Sequence, residues 1–126
     1  MQKYLIDSAI IIDCLRQDKP ILEFIESLTS RKETAFLISS ITTAELFSGK
    51  SSQNKRTQKI LSELLSAFEE IAVDRDIAIL AGKFRCKYQS SLSDAIIAST
   101  AYFNKATLIS RDKIFLKIKE IKTKIL

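Results

Sequence analysis

Ser-Leu-Ser-Asp-Ala-Ile-Ile-Ala-Ser-Thr-Ala-Tyr-Phe-Asn-Lys-Ala-Thr-Leu-Ile-Ser-Arg-Asp-Lys-Ile-Phe, residues Ser91 to Phe115, decides the architecture. Ser93 stands where it can cap an apolar helix running from Asp94 to about Phe103. Thr107-Leu108-Ile109 then reads as a strand buried on both faces, and Asp112 follows it closely. One carboxylate therefore opens the helix and another lies just past the strand. Charge among apolar neighbours is costly to desolvate without compensation, so both acids need a reason to be there.

The same grammar recurs outward from this stretch. Tyr4-Leu5-Ile6, Ala35-Phe36-Leu37-Ile38 and Ile71-Ala72-Val73 are unbroken apolar runs bounded by polar residues. Runs without alternation belong to strands covered on both sides, as in a parallel sheet between helix layers. Helical spacing fills the intervals. Ser8 to about Arg16 follows the first run, and Asp18 with Pro20 opens a second helix that carries Ile21, Phe24, Ile25 and Leu28. Thr42 to Gly49 follows the second run. Ile60, Leu61, Leu64, Leu65 and Phe68 form an amphipathic stripe, and Ile77, Leu80, Ala81, Phe84 and Tyr88 form another. Ile121 to Leu126 is expected to add a short edge strand. Strand–helix alternation without repeats or Gly/Pro-rich linkers predicts a single three-layer α/β/α domain over residues 1–126.

In open parallel sheets, ligands bind beyond the carboxyl ends of the strands. Asp7 directly follows the first strand, Glu45 lies in the first turn after the second, and Asp112 follows the fourth. Asp94 starts the helix leading into that strand. All four acids can therefore reach one edge. Two carboxylates about 4 Å apart repel by about 4 kcal/mol at an effective dielectric near 20. A fold gathers such groups for stability only if they take up protons or a divalent cation neutralises them. All-oxygen donors favour Mg²⁺ or Mn²⁺ over zinc. Each acid also has a plainer role available. Asp7 can N-cap its helix, Thr42-x-x-Glu45 has the spacing of a capping box, Asp94 suits a helix dipole, and Asp112 can cap a short helix. Asp74 and Asp76 after the third strand are assigned to capping, and Asp13 to a supporting or solvated position.

Composition narrows the chemistry. The chain has no histidine, which excludes His-based triads and His-type RNA transphosphorylation. Its 20 basic residues outnumber 15 acids, and they cluster. Lys50 to Lys59 holds four bases and no acid, and Lys83 to Lys87 three and none. From Arg111 onward six bases face only Asp112 and Glu120. A basic rim around an acidic pocket suits a polyanion whose scissile phosphate meets a metal; the plainer alternative is solvated helix faces. Lys50, Lys55, Arg56 and Arg111 are the candidate phosphate contacts. Cys14 and Cys86 fit no metal-ligand spacing and read as reduced thiols of a cytoplasmic protein. Asp7 and Asp13 interrupt the apolar N-terminal stretch, so neither a signal peptide nor a membrane span is expected there.

Four segments together resemble the signatures of PIN-domain ribonucleases: Tyr4 to Asp13, Thr42 to Leu46, Ser93 to Ala98, and Leu108 to Phe115. The small size is similar to the toxin subunits of VapBC toxin–antitoxin pairs. The resemblance covers nearly the whole chain and preserves motif order. It implies strand order 3-2-1-4-5 and Mg²⁺- or Mn²⁺-dependent endonucleolytic hydrolysis of single-stranded RNA. It also implies a homodimer and a cognate VapB-type antitoxin. Asp7, Glu45, Asp94 and Asp112 would form the catalytic acidic quartet, with Asp7, Asp94 and Asp112 on the metal. Ser8 and Ser110 match small hydroxyl positions that orient the acids. Ala9 departs from the pattern, since the family often carries Asn or Ser there to support the first acid. Two rival functions remain within this resemblance: an RNA-maturation nuclease, and an interaction module that has lost catalysis. A phosphoryl-accepting domain would need a lysine beside its nucleophile, and no strand end supplies an obvious one.

Overall fold

Strand β1 (Gln2–Ile6) lies at the centre of a five-stranded, wholly parallel sheet. The computed structural model describes residues 1–31 and 33–126. Elements follow in the order β1, α1 (Ser8–Leu15), α2 (Lys19–Thr29), β2 (Thr34–Ser39), α3 (Ser40–Ser48), α4 (Lys55–Leu65), β3 (Glu69–Ile71), α5 (Arg75–Tyr88), α6 (Leu92–Asn104), β4 (Thr107–Ser110) and β5 (Lys122–Ile125). Short 3-10 turns occupy Lys50–Ser52 and Lys113–Lys117. The sheet order is β3-β2-β1-β4-β5, as the motif resemblance implies. Leu5 stands between Leu37 on one side and Leu108 on the other, so the three central apolar runs are in register.

Alternate residues of these runs feed two cores. Leu5, Leu37 and Leu108 face Ala81 and Phe84 of α5, the alanine-rich side of α6, and Phe115. Tyr4, Ile6, Ile38 and Ile109 face Ile10 and Ile11 of α1, Ile21 and Leu28 of α2, Leu46 of α3 and Leu61 of α4. This is the three-layer α/β/α arrangement expected from double-sided burial. The small residues Ala95, Ala98 and Ala101 let α6 lie close to its neighbours, and the buried Ser99 hydroxyl donates to the Ile77 carbonyl of α5 at 2.7 Å.

Several boundaries differ from the sequence reading. The third strand pairs Glu69 and Glu70, not Ala72 and Val73, against Leu37 and Ile38. It is a short edge strand, so burial does not demand apolar residues along it. The apolar run continues past the ladder, where the Val73 N–H instead donates to the Ser40 hydroxyl at 3.2 Å. Helix α3 starts at Ser40 with Ser39 as its cap, which places Thr42 and Glu45 inside the helix and removes the capping box. Ile60 is 45% exposed and Phe68 lies beyond α4, where it packs edge-on against Phe36. The last strand forms as the opposite edge of the sheet, with Lys122 and Lys124 exposed. The two free edges thus carry opposite charge: paired glutamates on β3, lysines on β5.

Candidate active site

Asp7 leaves the end of β1 and caps α1, its Oδ1 accepting the Ser8 N–H at 2.9 Å. Its other oxygen, Oδ2, accepts the hydroxyl of Ser110 at 2.7 Å. Ser110 is fully buried at the end of β4, and the same hydroxyl oxygen accepts the Asp112 N–H at 3.0 Å. One hydroxyl therefore ties together the acids that follow the two central strands. The backbone adds a further tie, from the Asp7 N–H to the Ile109 carbonyl at 3.1 Å. Asp112 caps the following 3-10 turn, its Oδ1 accepting the Ile114 N–H at 3.0 Å. Capping and site geometry are thus compatible in Asp7 and Asp112, not alternatives. Ser8 meets Asp7 through its backbone N–H.

Asp94 sits in the first turn of α6. That helix begins earlier than its apolar pattern suggests: Ser91, not Ser93, is the cap, and its hydroxyl oxygen accepts the Asp94 N–H at 3.1 Å. Ser93 is released for another task and donates to Glu45 Oε2 at 3.1 Å, bridging α6 to α3. The sequence reading missed this role. The only available signal was that Ser91 and Ser93 are both able to cap, so one of them is left over.

The carboxylates are electrostatic neighbours. Asp7 is raised above the usual aspartate range, first by burial and then by the charge of Asp112, against the lowering effect of its two hydrogen bonds. Asp94 is raised by burial and by Asp112 and Asp7, with hydrogen bonding from Ser91 opposing them. Glu45 is raised by loss of solvent and by Asp7 and Asp94, with Ser93 opposing. Acids from β1, α3, α6 and the β4 exit thus influence one another's protonation. They lie at the carboxyl edge of the sheet, beside the β1–β4 junction where the connections diverge.

Among the described residues, the ion pairs are Lys87–Glu120, Arg111–Asp13 and Arg111–Asp18, so none neutralises these four acids. No three ligand-type side chains already close into a cluster among those residues either. The side chains of the four acids offer oxygen donors alone, a chemistry that fits Mg²⁺ or Mn²⁺ better than zinc.

Of the candidate phosphate contacts, Lys50 lies exposed on the 3-10 turn after α3, while Lys55 and Arg56 lie exposed at the start of α4. Gly49, Ser51 and Thr57 from the same region line a groove with Glu45. Arg111 is instead engaged by Asp13 and Asp18. Asp13 is therefore neither freely solvated nor among the four acids. Asp74 caps α5 by accepting the Ile77 N–H at 2.9 Å, and Asp76 follows it in the first turn.

A parallel α/β domain with an acidic centre at its switch point is the class that this fold and geometry define. The sequence matches the PIN domain over residues 4–121, and the chain belongs to that family. No curated protein matches it by sequence. Among solved structures, it is similar to a toxin–antitoxin complex from Klebsiella pneumoniae, with 28% identity over 98% of this chain and 99% of that one (TM-score 0.80). It shares its fold with VapBC2 from Rickettsia felis bound to a DNA fragment from its promoter, at 24% identity, 99% of each chain and a TM-score of 0.85. The same holds for DNA-bound VapBC from Salmonella typhimurium, at 22% identity, 99% and 98% coverage and a TM-score of 0.80.

Proposed function

We propose that this chain is a divalent-metal-dependent endoribonuclease, acting as the toxin of a VapBC-type toxin–antitoxin pair. The observation that carries the reading is the gathering of Asp7, Glu45, Asp94 and Asp112 at the carboxyl edge of a PIN-domain sheet, with no cationic partner among the described residues. Asp7, Asp94 and Asp112 hold Mg²⁺ or Mn²⁺ in this reading. Bound there, the ion lowers the pKa of water and polarises a phosphoryl oxygen.

The protein's own groups set the stage for in-line hydrolysis. Ser110 and the Ser8 N–H fix both oxygens of Asp7. Ser93 holds Glu45 by its hydrogen bond, and Glu45 would accept a proton from the attacking water. Partial burial of Asp7 and Asp94 strengthens each charge interaction within the site. Lys50, Lys55 and Arg56, exposed on the segments that follow α3, draw the phosphate backbone towards the acids. The products carry a 5′-phosphate and a 3′-hydroxyl.

The likeness to toxin–antitoxin complexes over nearly full lengths supports an antitoxin partner; a homodimeric state and action in the cytoplasm are further parts of this reading. The deciding experiment is cleavage of total cellular RNA with and without Mg²⁺, with Asp94→Asn as control. Mg²⁺-dependent fragments that disappear in the variant, while its circular dichroism is unchanged, support the reading. Full activity of the variant removes Asp94 from the mechanism. Growth arrest on expression, relieved by a neighbouring small gene product, separates a toxin from an RNA-maturation enzyme.

A further inference from the structure

We propose that Arg111 is a positioning residue: it clamps the Ser110–Asp112 corner onto the junction of α1 and α2, and so fixes Asp112 relative to Asp7. The proposal rests on Asp112 being a metal-binding acid. Arg111 lies between the serine that holds Asp7 and the acid itself. Its Nε donates to Asp13 Oδ2, and its Nη2 lies 3.5 Å from Asp18 Oδ2. Both acceptors are themselves anchored. Asp18 Oδ1 caps α2 by accepting the Ile21 N–H at 3.2 Å, and the Asp18 N–H donates to the Asp13 carbonyl at 3.0 Å. Gln17 holds a left-handed conformation at φ 55°, which turns the chain sharply enough for Asp13 and Asp18 to meet one guanidinium.

Two consequences follow for charge and geometry. A guanidinium shared by two carboxylates carries a local net charge of minus one and offers no free cation to a phosphate. A planar fork can bridge two separated acids, which a lysine ammonium does far less well. The Arg111 side chain remains 43% exposed, so the contacts hold by geometry and not by burial.

The test compares wild type, Arg111→Ala, Arg111→Lys and Asp13→Asn in two measurements. The first is affinity for Mn²⁺ alone, read from the metal-dependent rise in melting temperature. The second is the salt dependence of binding to a single-stranded oligoribonucleotide in EDTA. Clamping predicts Mn²⁺ affinity about 10- to 100-fold weaker in Arg111→Ala and Asp13→Asn, as for other groups that orient metal ligands. Arg111→Lys should fall between them and wild type, and the slope of log K against log salt should be unchanged in all. The opposite pattern overturns the proposal. If Arg111 were a phosphate contact, its loss would reduce that slope by about 0.7, and Asp13→Asn would tighten RNA binding by freeing the guanidinium. Folded variants with wild-type Mn²⁺ affinity also overturn it. A wild type that neither responds to Mn²⁺ nor cleaves RNA instead refutes the metal site itself.

Discussion

Asp7, Glu45 and Asp94 all bind protons more tightly in the folded chain than an ordinary carboxyl does, chiefly because burial disfavours their charge. The sign follows from linkage. A carboxyl whose folded pKa is raised contributes most stability below its unfolded value, 3.8 for Asp94, and loses it as pH rises through the folded value. At neutral pH these acids therefore oppose folding of the metal-free protein. Asp94→Asn should raise the melting temperature of that protein at pH 7, and the gain over wild type should shrink as pH falls towards about 4. Thermal unfolding across a pH series in EDTA checks this, and a variant less stable than wild type at pH 7 contradicts it. At this scale the sequence is informative for a simple reason: a polar residue directly after a buried strand has few places to go. Hence the positions of Asp7 and Asp112 at the carboxyl edge of the sheet are legible without coordinates. The role of Ser93 is not, because its partner Glu45 lies 48 residues away and comes near only through the packing of α3 against α6.

Among the elements, legibility follows burial. The three central strands announce themselves because both faces need apolar side chains, whereas β3 and β5 have an open edge and tolerate Glu-Glu-Ile and Lys-Thr-Lys-Ile. Helix starts blur for a different reason. Ser39 both ends β2 and caps α3, leaving no loop to mark the boundary, so the apolar pattern places the helix about two residues late. Helix α5 offers a direct test of element energetics. Gly82 lies in its interior, is exposed, and a Cβ built there meets nothing within 4 Å. Glycine costs roughly 0.5–1 kcal/mol against alanine at such a position. Gly82→Ala should stabilise the protein by about that amount, seen as a higher urea midpoint at constant m-value. A destabilised variant would show that the open face of α5 around Gly82 is covered in solution.

For the molecule as a whole, the proposed site links stability to ligand. A cation that binds only the folded chain adds RT ln(1 + [L]/Kd), or about 2.7 kcal/mol at a hundredfold excess over Kd. Titrating Mn²⁺ should therefore raise the melting temperature of wild type more than that of Asp94→Asn. RNA affinity should fall with salt by about 0.7 in log K per neutralised phosphate, and a triple Lys50, Lys55 and Arg56 alanine variant should show a shallower slope. A flat dependence in wild type would reduce the basic clusters to solvated surface. The charged borders of the sheet constrain assembly in a separate way. A two-fold axis sets each surface against its own duplicate, so joining two molecules along β3 would oppose glutamate to glutamate, and along β5 lysine to lysine. Neither border can zip to itself without like-charge repulsion. Charge repulsion at both borders therefore favours helix surfaces over sheet edges for any symmetric contact of this protein.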